Sequence, residues 1–325
     1  MSVEVQEILD FLLSANDYLI STHINADGDA YASVLSMAYF LEKLDKKYQI
    51  IIEDQKLDSK YQFLWGFDKI QSYSDKVYTQ FGAAVILDVP NLKRLGKPSK
   101  FLPSADYCVQ IDHHPLEEKF AKYSFVDANA SSTSLLVYEL ISKSNVEITS
   151  ELANLLFTGI MYDTGRFSFS NTTQRDFEVA AELLKKDVSP SEVSNHLFFN
   201  NSFEAMKIVG YGLANMQSFL DGRVCIIHIP RHIMNEDYNS EIEELTNFSI
   251  AIKDVEVGLF IREVKPNFFK VSFRSKGRVN VNSIAKIFGG GGHIHAAGCR
   301  YEGDFQKLCD KLIKEIEKQL KNLEK

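Results

Sequence analysis

Cysteine is scarce and scattered in this chain. Cys108, Cys225, Cys299 and Cys309 are the only four in 325 residues, and no two form a Cys-x-x-Cys pair. That excludes a zinc knuckle or a disulfide framework and leaves buried, reduced thiols as the reading. Long apolar runs are also missing. The longest are broken by charge within about a dozen residues, short of the roughly 20 a membrane-spanning helix needs. The N-terminus, Met1-Ser2-Val3-Glu4-Val5-Gln6-Glu7, is acidic. It has neither the basic start nor the apolar centre of a signal peptide, so the default expectation is a cytoplasmic location with no membrane partner. Positive charge is in deficit, with 36 Lys and Arg against 44 Asp and Glu and a net charge of −8. Proteins that hold long nucleic acids usually carry a basic face, because neutralising phosphate supplies most of their affinity. A long nucleic acid is therefore not expected as a partner. If the chain acts on nucleotides, positive charge must come from bound metal and a few placed arginines, which favours small substrates.

What is present is the balance of a soluble globular protein, 45 % apolar and 25 % charged, at a length that suits two domains. A homodimer is compatible with the sequence. The first half alternates strands and helices. Tyr18–Thr22, Tyr48–Ile52, Ala83–Leu87 and Tyr107–Ile111 read as strands, the last two apolar enough to be buried on both faces. A helix runs from about Asp29 to Leu44, with Val34, Met37, Ala38, Leu41 and Leu44 at helical spacing. This pattern predicts a parallel sheet covered by helices. From Ser132 to about Ser218 the chain reads as helical, with helices at Ser132–Ser144, Ser150–Met161, Gln174–Lys186, Ser191–Leu197 and Phe203–Gln217. A boundary near Leu220-Asp221-Gly222 opens a second region, giving domains at 1–218 and 219–325. There Val224–Ile229, Val255–Val264 and Phe268–Arg274 read as strands, Val281–Phe288 as a helix, and Phe305–Leu323 as a charged closing helix.

Three of the apolar strands run directly into acid or histidine. Strand 18–22 leads to His23-x-x-x-Asp27-x-Asp29, strand 83–87 ends at Asp88, and strand 107–111 ends at Asp112-His113-His114. Ligands of an open parallel sheet gather beyond the carboxyl ends of its strands, so the three clusters are expected to share one crevice. Carboxylates brought together repel unless a cation holds them. A mixed carboxylate and imidazole set suits manganese, iron, cobalt or magnesium better than structural zinc. Two metals need a shared carboxylate, and Asp88 is the natural bridge. Each residue alone has a plainer reading. Asp27 and Asp29 could cap a helix, His23 could be an ordinary core or surface histidine, and Asp88-Val89-Pro90 could be turn chemistry. Adjacent histidines at a buried strand end are harder to dismiss. Asp163 closes an apolar helix where the helix dipole disfavours an acid, mild evidence for a nearby metal.

Towards the C-terminus, Gly289-Gly290-Gly291-Gly292-His293 excludes side chains, so its backbone amides could approach a phosphate or sugar. It is not a Walker loop, since no Lys-Ser/Thr follows. Arg274, Lys276 and Arg278 lie just upstream, with solvated surface charge as the alternative for the last two.

These pieces, in this order, resemble the DHH–DHHA1 phosphoesterases, and within them the bacterial nanoRNases that also act as pAp phosphatases. The landmarks are His23-Ile24-Asn25-Ala26-Asp27-Gly28-Asp29-Ala30, Asp88 with Arg94, Asp112-His113-His114, Phe169–Thr173, Ser272-Phe273-Arg274-Ser275, Asp163-Thr164-Gly165 and Gly289–Gly298. The resemblance implies an α/β fold in two parts. A parallel-sheet DHH domain with helices on both faces is joined to a smaller α/β DHHA1 domain, with the active site in the cleft between them. It also implies that His23, Asp27 and Asp88 hold one metal, and that Asp29, Asp88, His113 and Asp163 hold the other. His114 would contact the scissile phosphate and Asp112 would orient the histidines. Arg94, Arg274, Gly290, Gly291, Gly292 and His293 would grip substrate. The implied metals are two divalent ions, manganese first, with magnesium or cobalt as options. The implied activity is hydrolysis of short oligoribonucleotides, linear dinucleotides such as pGpG and pApA, or pAp, by a hydroxide bridging the metals. Where many relatives place an asparagine after the histidine pair, this chain has Glu117-Glu118. The rival readings are a cyclic-dinucleotide phosphodiesterase, a manganese pyrophosphatase, a long-strand exonuclease, an exopolyphosphatase and, from a different class, a catalytically silent nucleotide-binding regulator.

Overall fold

A computed structural model describes residues 3–75, 80–233 and 241–323. The chain forms two compact units, Met1–Asn200 and Asn201–Lys325. In the first, six strands pair in parallel: β1 (Tyr18–Ser21), β2 (Tyr48–Ile52), β3 (Ile70–Ser72), β4 (Ala83–Leu87), β5 (Cys108–Asp112) and β6 (Tyr123–Val126). Their order across the sheet is β3-β2-β1-β4-β5-β6. One face packs Ile20, Ile52, Val85, Leu87, Val109 and Ile111 into the main core. That core is closed by α1 (Val3–Ser14), α2 (Gly28–Lys43), α4 (Thr133–Ile141) and α5 (Ser150–Asp163). The opposite face sets Leu19, Ile51, Ala84, Ile86 and Cys108 against short α3 (Leu92–Leu95) and neighbouring turns. The central strands were legible because burial on both faces leaves near-continuous apolar runs.

The chain builds outward from β1 through β2 to β3, then returns to β4 and builds the other way. The crevice of such a sheet opens at the carboxyl ends where the order reverses, here between β1 and β4. Register sets the depth of that crevice. Ser21 pairs with Ile86 and Leu87 with Ile111, while the Asp88 N–H donates to the Ile111 carbonyl at 2.9 Å. Continuing the strands by a residue or two therefore brings His23, Asp88 and Asp112 to one level. Two helices, α6 (Gln174–Leu184) and α7 (Pro190–Phe198), complete the unit.

The second unit is a mixed sheet ordered β11-β12-β10-β9-β8-β7, comprising β7 (Gln217–Phe219), β8 (Val224–Ile229), β9 (Val257–Lys265), β10 (Phe268–Ser275), β11 (Gly291–Gly292) and β12 (Ala296–Glu302). Only β8 and β9 run parallel. One face packs on α10 (Val281–Ile287) and α11 (Phe305–Leu323), the latter through Leu308, Leu312, Ile316 and Leu320 at four-residue spacing. The other packs on α8 (Phe203–Ala214) and α9 (Leu245–Phe248). Ala205, Ile208 and Val209 of α8 meet Cys225, Ile227 and Ile229 of β8, which is why that helix belongs with the second sheet. Sequence pattern alone places it at the end of the first domain, whereas the second compact unit begins at Asn201. All four cysteines are free and buried.

Candidate metal centre

β1 delivers His23, whose Nδ1 lies 3.0 Å from the Ile24 carbonyl. With Nδ1 donating to that carbonyl, Nε2 is the ring nitrogen that faces Asp88 Oδ2 at 3.3 Å and Asp27 Oδ2 at 3.9 Å. Asp27 is the N-cap of α2: its Oδ1 accepts from the N–H groups of Asp29 and Ala30, both at 3.2 Å. Capping and chemistry are therefore not alternatives here. One oxygen caps and the other faces the histidine.

Asp29, fully buried in the first turn of α2, is held by groups from α4. Its oxygens accept from the Thr133 N–H at 2.6 Å and the Ser134 N–H at 2.9 Å, with the Ser33 hydroxyl at 3.3 Å. Gly159 lets α5 close over this pair. A Cβ there would lie 2.5 Å from Asp29 Oδ1 and 1.9 Å from Ser134 Oγ, so no larger residue fits. Asp88 follows β4 with φ of 60°, a left-handed conformation that aspartate tolerates better than most residues. It is 2 % exposed. Its Oδ1 lies 3.4 Å from His113 Nε2 and 3.4 Å from His114 Nδ1, and accepts from the Thr133 hydroxyl at 3.1 Å. His113 Nε2 also lies 3.1 Å from Asp163 Oδ2, at the end of α5. His114 Nδ1 lies 2.8 Å from Asp112 Oδ1.

All eight candidate residues singled out from the sequence for this cluster thus come together in the first unit. Three groups of this unit could hold an ion, each with its donor atoms within 4.8 Å of one another: Asp88–Asp112–His114 and the two triads His23–Asp27–Asp88 and Asp29–Asp88–His113. Asp88 is common to all of them, and Asp163 stands beside His113. The donor set is oxygen and imidazole nitrogen without thiolate, which fits hard or borderline divalent cations. Among the described residues, Asp112 Oδ2 is buried with no hydrogen-bond partner.

Electrostatics show how far the site calls for positive charge. Burial first, then the negative charges of Asp163 and Asp88, hold Asp29 well above the ordinary carboxylate range. Burial also lifts Asp27 to about 6, with His23 opposing and Asp163 and Asp88 reinforcing. Burial would lower the imidazoles, yet Asp163 and Asp88 drive His113 well up, and Asp112 and Asp88 take His114 to about 9. Burial would likewise raise Asp88, but hydrogen bonds from His113, His114 and His23 pull it well below the usual range. Several carboxylates compete here for few protons, and a cation relieves that competition.

Arg94 is exposed beside this cluster. Its carbonyl accepts from the Ile24 N–H at 2.8 Å, and its charge opposes protonation of His23. Glu117 and Glu118 serve this segment: Glu117 accepts from the Asn91 side chain at 2.6 Å and Glu118 from the Leu92 N–H at 2.9 Å. In the second unit, Arg274 on β10 donates from Nε to Asn247 Oδ1 at 3.2 Å. The glycine segment needs one correction. The Gly289, Gly290 and His293 N–H groups already donate to the Lys286, Ala285 and Ala296 carbonyls, and Gly291–Gly292 pair with β12. The segment is a close-packed edge rather than an amide cradle: a Cβ on Gly290 would sit 2.1 Å from the Gly298 carbonyl oxygen.

Sequence reasoning missed Ser33, Thr133, Ser134 and Asn171. The Asn171 amide donates to the backbone oxygens of Ser131 at 3.1 Å and Asp163 at 3.0 Å. Its one visible signal was its place in the Phe169–Thr173 segment.

Residues 17–160 match the DHH family, N-terminal domain, and residues 234–322 match the DHHA1 domain. The chain is 31 % identical over 307 residues to the bifunctional oligoribonuclease and PAP phosphatase NrnA of Thermus thermophilus, covering 93 % of this chain and 89 % of that protein. It is 28 % identical over 306 residues to the protein of the same name from Bacillus subtilis, covering 90 % and 94 %. Among solved structures, an exopolyphosphatase-related protein from Bacteroides fragilis superposes with a TM-score of 0.89 at 26 % identity, covering 100 % of this chain and 98 % of that one.

Proposed function

The chain belongs to the DHH–DHHA1 phosphoesterases, and on that premise we propose that it hydrolyses short oligoribonucleotides, linear dinucleotides and pAp with two divalent ions, manganese first. The observation that carries the reading is the pair of ligand triads joined through Asp88. Two cations, when bound, supply an activated water and neutralise charge on the phosphate oxygens. The chain's own residues do the rest. Asp88 reaches both triads, and its fixed position on a buried strand end holds them in register. Asp112 accepts from Nδ1 of His114 and orients the ring; with its pKa lifted to about 9 the ring is an imidazolium at neutral pH, so its Nε2–H is the donor offered to the scissile phosphate. Asp29, gripped by Thr133 and Ser134, keeps its oxygens aimed without further reorganisation. Arg94 and Arg274 suit phosphate oxygens because a guanidinium offers a planar fork of donors. Gly290, Gly291, Gly292 and His293 offer a flat backbone edge against which a sugar or base could rest.

The relatives' names, oligoribonuclease and PAP phosphatase, support this substrate class. The test is a panel of pApA, pGpG, pAp, cyclic dinucleotide and pyrophosphate, with manganese present. Mononucleotides from pApA and pGpG, and AMP with phosphate from pAp, are expected. Selective cleavage of the cyclic dinucleotide or of pyrophosphate would replace the proposal with a rival, and binding without turnover would make the chain a silent regulator.

A further inference from the structure

The loop from β1 to α2 must hold His23 and Asp27 at a fixed separation, yet it is only three residues long between them. Its middle residue, Asn25, has φ of 57°, a left-handed conformation that an unrestrained loop readily leaves. Three successive N–H groups in this loop are each claimed from outside it. Ile24 donates to the Arg94 carbonyl at 2.8 Å. Asn25 and Ala26 donate to Asp54, one to each carboxylate oxygen, at 2.8 and 2.7 Å. Asp54 follows β2, on the far side of β1 from Asp88, and among the described residues its carboxylate accepts from no other group. Next to it, Glu53 Oε2 accepts from the Lys97 N–H at 2.7 Å, in the segment that carries Arg94.

We propose that Asp54 is a positioning residue for the metal centre: its carboxylate, straddling two backbone amides, locks the left-handed turn that sets the spacing of His23 and Asp27. Charge-assisted bonds from paired N–H groups are short and directional, as the two distances here are. Asp54 touches neither ligand side chain; it acts through the backbone that joins them. Its neighbour Glu53 ties the Arg94 segment to the same strand end. Outer partners of metal ligands typically govern about 10- to 100-fold of metal affinity. Loss of Asp54 should therefore weaken the His23–Asp27–Asp88 site selectively and leave the Asp29–Asp88–His113 site nearly intact.

The inference rests on the two-metal reading, and the test separates the two. Manganese binding to full-length Asp54→Ala, Asp54→Asn and Asp27→Asn would be measured by titration calorimetry, with melting temperature and the manganese dependence of pApA hydrolysis alongside. For Asp54→Ala we expect one of two binding events to weaken by about 10- to 100-fold. Turnover should recover at high manganese, with little change in melting temperature. Asp54→Asn, which keeps one acceptor oxygen, should fall between Asp54→Ala and wild type. If Asp54→Ala binds manganese like wild type while Asp27→Asn does not, the positioning role is wrong. Equal weakening of both sites with a lowered melting temperature would make Asp54 merely structural. If neither Asp54→Ala nor Asp27→Asn alters binding, the metal reading itself fails, and this inference with it.

Discussion

Asp88→Asn is the perturbation that bears hardest on this site. The carboxylate lies 3.3 Å from His23 Nε2, 3.4 Å from His113 Nε2 and 3.4 Å from His114 Nδ1, and belongs to both ligand triads. Asparagine matches its volume and tolerates the left-handed backbone, which alanine would strain by about 1–2 kcal/mol. Folding should therefore survive the change, as judged by circular dichroism and a cooperative melt. An amide oxygen is a poor substitute for a charged ligand. Losing even an outer partner of a ligand costs about 10- to 100-fold. Removing the charge from a group shared by two ions should cost at least that at each, so turnover should drop by on the order of 1,000-fold or more. At about 1.36 kcal/mol per decade this is roughly 4 kcal/mol of lost transition-state stabilisation. The assay is pApA hydrolysis across a manganese series, with single-turnover rates to separate chemistry from product release. A variant that folds and turns over within tenfold of wild type at matched manganese would refute the shared-ligand reasoning.

Three further outcomes follow from particular contacts. Gly159→Ala drives a methyl group into Ser134 Oγ and Asp29 Oδ1, so it should cost about 1–3 kcal/mol in urea unfolding and weaken manganese binding as well. Manganese affinity should fall with acidity, because burial raises Asp27 to about 6 and its proton must leave before the ion binds. Calorimetry in buffers of different ionisation heat should show proton release at pH 7, and affinity should decline steeply as pH drops through 6; a flat profile from pH 7.5 to 5.5 would contradict this. In the second unit, His228 is stacked on Phe305 at 3.9 Å, and its ring Nε2 is buried without a hydrogen-bond partner among the described residues. Burial lowers it to about 4 from the usual 6.5. The unfolded chain takes up that proton first, so the stability the neutral ring provides is complete above 6.5 and is lost as pH falls towards 4. His228→Phe should flatten that part of the pH–stability curve.

The candidate cluster was more legible in the sequence than the residues that support it. Strand ends carrying His23, Asp88 and Asp112 stood out because buried parallel strands read as unbroken apolar runs, and polar residues at their tips are costly without a purpose. Edge strands were less legible. β3 is three residues long and β6 is only partly buried, so neither shows a clear period. Helix α1 is short, and its buried face of Val5, Ile8, Leu9 and Leu12 sits beside no polar signal that would single it out. Ser33, Thr133, Ser134 and Asp54 escaped for a different reason. A hydroxyl, an amide or a lone acid has no local signature, and its role exists only once distant segments meet. The glycine run shows the opposite error: its composition allowed an amide cradle, while carbonyls of α10 and β12 already hold the Gly289, Gly290 and His293 amides.

Crystals grown with manganese and measured at its absorption edge would address the two-ion centre most directly. Two anomalous peaks about 3.5–4 Å apart, bridged by the Asp88 carboxylate and flanked by His23 with Asp27 on one side and Asp29 with His113 on the other, are the expected result. A single peak, or two that do not share Asp88, would contradict it.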